Sequence, residues 1–195
     1  MEGIQEKKLE IRNDIGKVLE ALKTGELSKK TKKIEDRLFD FANFLEAKIS
    51  LLYMNTSHEV NTQKIIKKCF KYNKVVVLPA FSEEKRKMTL MKIGRLGADL
   101  IPGPRGVPEP DPNRCKAVPI ESIDIAIIPG IAFDEKGGRI GTGRGYYDKL
   151  IPELSITTRK VALAFESQIL PQVPMESHDK HVDIIITEER IIYKI

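Results

Sequence analysis

The stretch Gly137-Gly138-Arg139-Ile140-Gly141-Thr142-Gly143-Arg144-Gly145-Tyr146-Tyr147-Asp148 concentrates more reactive chemistry than any other part of the chain. Gly141, Gly143 and Gly145 alternate. Glycine tolerates positive φ, so successive backbone N–H groups can converge on one anion. A helix is expected from about Tyr146, and its first N–H groups and dipole would add to such a nest. Arg139 and Arg144 are bidentate donors suited to phosphate. Asp148, one turn into the helix, is a hard oxygen ligand suited to Mg²⁺ beside phosphates. Two generic phosphate motifs are excluded: no Gly-Lys-Ser/Thr follows the glycines, and Tyr146 stands where a Rossmann fingerprint requires glycine. A flexible hairpin turn would explain the glycines alone. It does not explain two arginines, two tyrosines and an aspartate in the same few residues, so phosphate binding is the expected role.

Other reactive residues are less informative. His178-Asp179-Lys180-His181 places two histidines three apart with Asp183 nearby, a spacing compatible with zinc. No third strong ligand set accompanies them, and both cysteines are remote in sequence, so an orienting hydrogen bond from His178 is expected instead. Cys69 falls on an apolar helix face and reads as inert core, while Cys115 lies in a long loop. Two cysteines make neither a disulfide scaffold nor a four-ligand zinc knuckle. No Gly-x-Ser-x-Gly elbow supports a serine hydrolase. Lys29, Lys30, Lys32 and Lys33, and then Lys64, Lys67, Lys68 and Lys71, read as solvated helix faces rather than a nucleic-acid surface.

These residues need a scaffold. Ile11, Ile15, Val18, Leu19 and Leu22 predict a helix over 4–23 with Gly25 as its stop. A second helix begins near Ser28, with the stripe Ile34, Leu38, Phe41, Ala42 and Leu45. Thr62 opens a third, carrying Ile65, Ile66, Cys69 and Phe70. Strands are predicted over 49–54, 74–78 (closed by Pro79), 88–93, 123–128, 160–165 and 182–186, with a short one near Ile191. Residues 94–119 are rich in glycine and proline and read as a long functional loop. The alternation predicts an α/β fold: three layers, a mainly parallel sheet between helices, and a helical N-terminal segment to about residue 47. Ligands of such sheets bind beyond the carboxyl ends of strands, so the loop after 123–128 is the first place to look.

Length and composition set the outer bounds. The 195 residues, 41% hydrophobic and 31% charged, fit one domain spanning 1–195. The net charge of +5 suits an enzyme of phosphate or carboxylate substrates as well as a nucleic-acid binder. No apolar run has the length of a membrane span, and the N-terminus lacks the apolar segment of a secretory signal, so a cytoplasmic protein with no membrane partner is expected.

The segment IDIAIIPGIAFDEKGGRIGTGRGYYDKL resembles the signature of the 5-formyltetrahydrofolate cyclo-ligase family, also called 5,10-methenyltetrahydrofolate synthetases. GVPEP at 106–110 is similar to the family's loop before this strand, and LAFESQILPQVPMESHDKHVDIIIT at 163–187 to its C-terminal signature. Lys8, Arg12 and Glu59 also fall where the family places functional residues. The resemblance implies ATP- and Mg²⁺-dependent cyclisation of 5-formyltetrahydrofolate to 5,10-methenyltetrahydrofolate, with release of ADP and phosphate. The γ-phosphoryl group passes to the formyl oxygen, the neighbouring nitrogen attacks the carbon, and phosphate leaves; the protein positions the groups and neutralises charge.

The same resemblance assigns residues. It implies that Lys8, Arg12, Arg139, Gly141, Thr142, Gly143, Arg144, Gly145 and Tyr146 hold ATP, Lys8 and Arg12 sharing one helix face. It implies that Met54, Glu59 and Tyr147 contact the folate, the Glu59 carboxylate suiting the amide and amine edge of a pterin. Arg144 and Tyr147 would act in the reaction, and Asp148 and Asp179 would bind Mg²⁺. Thr142 departs from the family's usual tyrosine or arginine, and threonine neither stacks on a ring nor neutralises a phosphate. The expected partners are reduced folate and ATP, with no specific nucleic acid and the oligomeric state left open. The alternatives are a non-catalytic nucleotide- or RNA-binding relative, and a paralogous ATP-dependent enzyme acting on another small acid. Retention of Arg144, Asp148 and Asp179 argues against the non-catalytic version.

Overall fold

The computed structural model describes residues 2–82 and 87–194. Helices α1 (Glu2–Glu20), α2 (Thr24–Asp40) and α3 (Ala42–Glu46) lead into strand β1 (Ile49–Leu51). Helix α4 (Gln63–Lys71) follows, then β2 (Val75–Ser82), β3 (Lys87–Ile93), β4 (Leu100–Pro102), β5 (Pro108–Pro110) and β6 (Lys116–Ala117). The second half holds β7 (Ile125–Ile127), β8 (Ala132–Asp134), β9 (Arg139–Ile140), α5 (Tyr146–Leu150), β10 (Arg159–Leu163), β11 (Ile169–Leu170), β12 (Ile184–Ile186) and β13 (Ile191–Tyr193).

The main sheet runs β13-β12-β10-β7-β1-β2-β3-β6. The five strands from β12 to β2 are parallel, and antiparallel strands finish both edges. Strand side chains alternate between faces. Val76, Leu78, Ile125, Ile127, Val161 and Leu163 therefore pack on one side against Ile15, Leu19, Ile34, Leu38, Phe44, Ile65 and Ile66 of α1 to α4. Val77, Ala126, Ala162, Ala164 and Ile185 face the other side, covered by Tyr146, Tyr147, Leu150, Ile151 and Leu154. The expected three layers are present but unequal: among the described residues four α-helices cover one face, and the short α5 with the 3₁₀ turn after it (Ile151–Glu153) covers the other.

Several element boundaries differ from the sequence expectation, each for a local reason. Gly25 does not stop the first helix; α1 ends at Glu20, and Gly25 lies exposed in the first turn of α2. The second apolar stripe breaks at Phe41, whose extended backbone (φ −78°, ψ 117°) restarts the helix in a new phase. Phe44 is therefore buried, and Leu45, expected in the stripe, is exposed. Lys74 secures this break, its Nζ donating to the carbonyls of Phe44 (2.6 Å), Leu45 (2.9 Å) and Ala47 (2.5 Å).

Pro79 does not close β2, which runs on to Ser82. Strand β1 pairs only as far as Val77, so beyond that point β2 is an edge on one side, where a missing N–H donor is tolerated. Residues 94–119 are not a bare loop. They fold into the hairpin β4–β5 and the edge strand β6, braced by Asp99, which accepts from the N–H groups of Gly94 and Arg95 at 2.8 Å each. Lys29, Lys32, Lys33, Lys64, Lys67 and Lys71 are exposed, whereas Lys30 bonds Glu188 (2.5 Å) and Lys68 sits 4.1 Å over the Phe39 ring. Among the described residues, no helix is long and apolar enough to cross a membrane.

Candidate active site

Adjacent parallel strands β1 and β7 diverge in connectivity. The chain leaves β1 for β2 on one side and β7 for β10 on the other. Such a switch point opens a crevice at the strands' carboxyl ends. A cleft of about 90 Å³ lies there, lined by Lys8, Arg12, Glu59, Arg105, Arg139, Gly141, Thr142, Gly143, Arg144, Gly145, Tyr146, Tyr147, Asp148 and Asp179. The topology thus gathers every expected site residue except Met54, which lines the two neighbouring cavities.

On the β7 side, Gly143 (φ 96°) and Gly145 (φ 69°) hold left-handed conformations, so the loop bends as an anion nest requires. The helix expected to reinforce it is only five residues long, so the loop itself must supply most of the donors. Arg139 is buried. It donates to Asp148 Oδ1 (2.7 Å) and the Pro129 carbonyl (3.1 Å), and its Nε has no partner among the described residues. Arg144 is exposed at the rim, and Thr142 beside it is exposed too. Asp134 closes a turn of its own, accepting from the N–H groups of Lys136 (3.0 Å), Gly138 (2.8 Å) and Val173 (2.8 Å).

Helix α1 closes the cleft from the other side. Arg12 Nε donates to the Gly141 carbonyl at 2.8 Å. Lys8, only 4% exposed, bonds Glu176 Oε2 (2.9 Å) and Asp179 Oδ2. Asp179 Oδ2 also accepts from the Glu176 N–H at 2.7 Å. Burial alone would push the Asp179 carboxyl up, but the bonds from Lys8 and the Glu176 N–H win and hold it below its ordinary value. The Lys8 ammonium is correspondingly held above its ordinary value, its two carboxylate bonds outweighing the burial.

The two carboxylates expected to bind Mg²⁺ share this cleft, joined through Lys180, whose N–H donates to Asp148 Oδ1 (3.2 Å). Asp148 Oδ2 and Asp179 Oδ1 accept no hydrogen bond among the described residues. Hard carboxylate oxygens beside a phosphate nest are the donor chemistry that suits a cation keeping several waters, and Asp179 Oδ1 also lies 3.6 Å from His178 Nε2. Among the described residues Glu176, His178 and Asp179 cluster with ligand atoms within 4.8 Å of one another, and neither Asp148 nor His181 is in that group.

On the β1 side, Glu59 Oε2 accepts from the Thr56 N–H (2.8 Å) and hydroxyl (3.0 Å), while Oε1 accepts none among the described residues. Burial raises the Glu59 pKa, against the lowering effect of those bonds and of Arg105 and Arg139. The Tyr147 hydroxyl is buried without a partner among the described residues, and burial and the Glu59 charge push its pKa up. Glu59, Tyr147, Met54, Tyr53 and Arg105 line a small second cavity. Beyond Met54 an apolar cavity of about 610 Å³ runs between α4 and the β4–β5 hairpin, with Lys67 and Gln63 as polar lining.

Three residues of the site carry no local sequence signal of their place in it. Tyr53 looked like strand core, Arg105 sat in a proline-rich stretch without periodicity, and Glu176 lay inside a recognised segment with no spacing of its own to mark it.

The model of the 5-formyltetrahydrofolate cyclo-ligase family matches residues 4–188. The mouse 5-formyltetrahydrofolate cyclo-ligase is 26% identical over 187 residues, covering 92% of each chain. The solution structure of Aquifex aeolicus 5,10-methenyltetrahydrofolate synthetase superposes with a TM-score of 0.84 at 28% identity, covering 96% of this chain and 92% of that one. A Mycoplasma pneumoniae 5,10-methenyltetrahydrofolate synthetase shares the fold, with a TM-score of 0.74 at 20% identity over 93% of this chain and 98% of the other.

Proposed function

This chain belongs to the 5-formyltetrahydrofolate cyclo-ligase family, and we propose that the switch-point cleft is where it performs the family's ATP-driven closure of 5-formyltetrahydrofolate to 5,10-methenyltetrahydrofolate. One observation carries the assignment of the site: a glycine–arginine loop, a buried carboxylate and a tyrosine hydroxyl without a partner among the described residues line a single cleft. In this reading residues 1–195 act as one domain.

The residues divide by chemistry. The nest at Gly141, Thr142, Gly143, Arg144 and Gly145 takes the triphosphate, with Lys8, Arg12 and Arg139 adding charge and Tyr146 walling the nest. Glu59 Oε1 accepts from the pterin's amide and amine edge, and the Tyr147 hydroxyl donates to the same ligand or to the formyl group. Met54 and the apolar cavity beyond it take the substrate's aromatic ring. Asp148 and Asp179 hold Mg²⁺, which when bound neutralises phosphate charge. Arg144 stabilises the phosphoryl oxygens in transfer. Holding formyl oxygen and γ-phosphorus in line supplies much of the rate, because a formamide is a poor electrophile until its oxygen is phosphorylated.

The test is direct. Protein, ATP, Mg²⁺ and 5-formyltetrahydrofolate are mixed, and methenyl absorbance and ADP are followed together. Product and ADP should appear in equal amounts, and only when nucleotide and divalent cation are both present. ADP release without methenyl product would defeat the substrate assignment.

A further inference from the structure

The cleft holding the phosphate nest and the cavity beside Glu59 meet at four shared lining residues: Glu59, Arg105, Pro129 and Tyr147. If nucleotide lies on one side and folate on the other, the transferred phosphoryl group crosses at this junction. Among those four, Arg105 alone is a cation. Lys8, Arg12 and Arg139 line only the nest side and are already engaged, with Glu176 and Asp179, with the Gly141 carbonyl, and with Asp148.

Arg105 is held differently. Its guanidinium carbon lies 3.9 Å over the Phe81 ring, and it has no carboxylate within ion-pair range among the described residues. Phe81 in turn packs edge-on against Tyr146, with ring centroids 4.9 Å apart. The hairpin bearing Arg105 is fastened to β2, because Glu109 Oε2 accepts the Phe81 N–H at 2.9 Å. Stacking on a ring face orients a guanidinium while occupying none of its five N–H donors. The side chain is thus aimed without being spent.

Resting on the reading of the cleft given above, we propose that Arg105 is a further catalytic residue, donating to the phosphoryl oxygens as the group passes from ATP to the formyl oxygen. In that step the bond between γ-phosphorus and the ADP oxygen breaks, and a bond from phosphorus to the formyl oxygen forms. The neighbouring nitrogen then attacks the carbon, the C–O bond breaks, phosphate leaves with both electrons, and the nitrogen's proton passes to water. The equatorial oxygens carry the charge throughout, and Arg105 sits where both partners of the transfer can reach it.

The experiment compares wild type, Arg105→Met and Arg105→Lys in steady-state methenyl formation, with thermal melts of each. Arg105→Met should lose kcat by about 10²–10³-fold, the usual effect of deleting one transition-state donor. Its KM for ATP should change only a few-fold and its melting temperature little. Arg105→Lys should recover part of the rate. Added guanidinium ion at low millimolar levels should raise the rate of the methionine variant and leave wild type unchanged, which a packing role would not produce. An unchanged kcat, or a loss confined to the folate KM with no guanidinium rescue, overturns the proposal. Absence of methenyl product from wild type overturns instead the reading beneath it.

Discussion

Lys8→Met is expected to move metal binding and nucleotide binding in opposite directions. The Lys8 ammonium bridges Glu176 and Asp179, neutralising both carboxylates as a divalent cation would. The two carboxylates lie within 4.8 Å of each other. Two like charges at that separation repel by about 3 kcal/mol at an effective dielectric constant of about 20. Water at the open mouth of the cleft reduces this, and roughly 1.5 kcal/mol is a fair working value, equal to about tenfold in an equilibrium constant. Without Lys8 that repulsion is relieved by metal, so Mn²⁺ alone should bind about tenfold more tightly. The nucleotide loses a charge-assisted donor worth about 1.5–3 kcal/mol, so ADP should bind roughly 10–100-fold more weakly. Electron paramagnetic resonance reads free Mn²⁺, and calorimetry reads ADP. If Mn²⁺ without nucleotide binds the variant no better than wild type, then Lys8 does not compete for Asp179 and the reasoning fails.

Three further outcomes are expected. Arg144→Ala should lower kcat by about 2–4 kcal/mol of transition-state stabilisation while leaving the melting temperature unchanged, since the residue is exposed; unaltered turnover would reduce it to a surface side chain. Lys74→Met removes three bonds to the carbonyls that end α3 and should cost roughly 2 kcal/mol in urea denaturation; no change in midpoint would mean water replaces the ammonium there. Acid should weaken the fold in a defined window. Burial pushes Asp179 and Glu166 up, but Lys8 holds the first, and Arg190 and the Thr187 hydroxyl the second, below their ordinary values. Depressed carboxyl pKa values give stability that is full above the unfolded value of about 4 and is lost as pH falls through the folded value. Melting temperature should therefore hold near neutrality and drop below about pH 4, with a smaller drop in Asp179→Asn.

The sequence was most legible where a signal is local. The isoleucine- and valine-rich runs around Ile125 and Ile185 announce buried parallel strands, because a strand covered on both faces needs apolar residues at consecutive positions. The loop from Arg139 to Asp148 was legible because its donors lie within a few residues of one another. What pairing across the chain decides was not. Lys8 is an ordinary surface lysine until the fold brings residues 176 and 179 onto it. The restart at Phe41 depends on Lys74, far along the chain, and Pro79 is tolerated only because β1 is short. Arg105 gains meaning from Phe81, which pattern alone does not link to it.

The thin side of the sheet has its own consequence. Ala126, Ala162 and Ala164 lie in the same packed cluster as Tyr146, Tyr147 and Leu150. The small volume of the alanines leaves that side of the sheet room for the large rings of the helix that also carries Asp148. A bulkier residue at any of them would lift that helix as a unit and detune the alignment of nest, hydroxyl and carboxylate together. Such a change should show in the melt, by the roughly 1–3 kcal/mol typical of overpacking, as well as in turnover. The smallest side chains of the interior thus bear on the proposed site through the cluster they share with it.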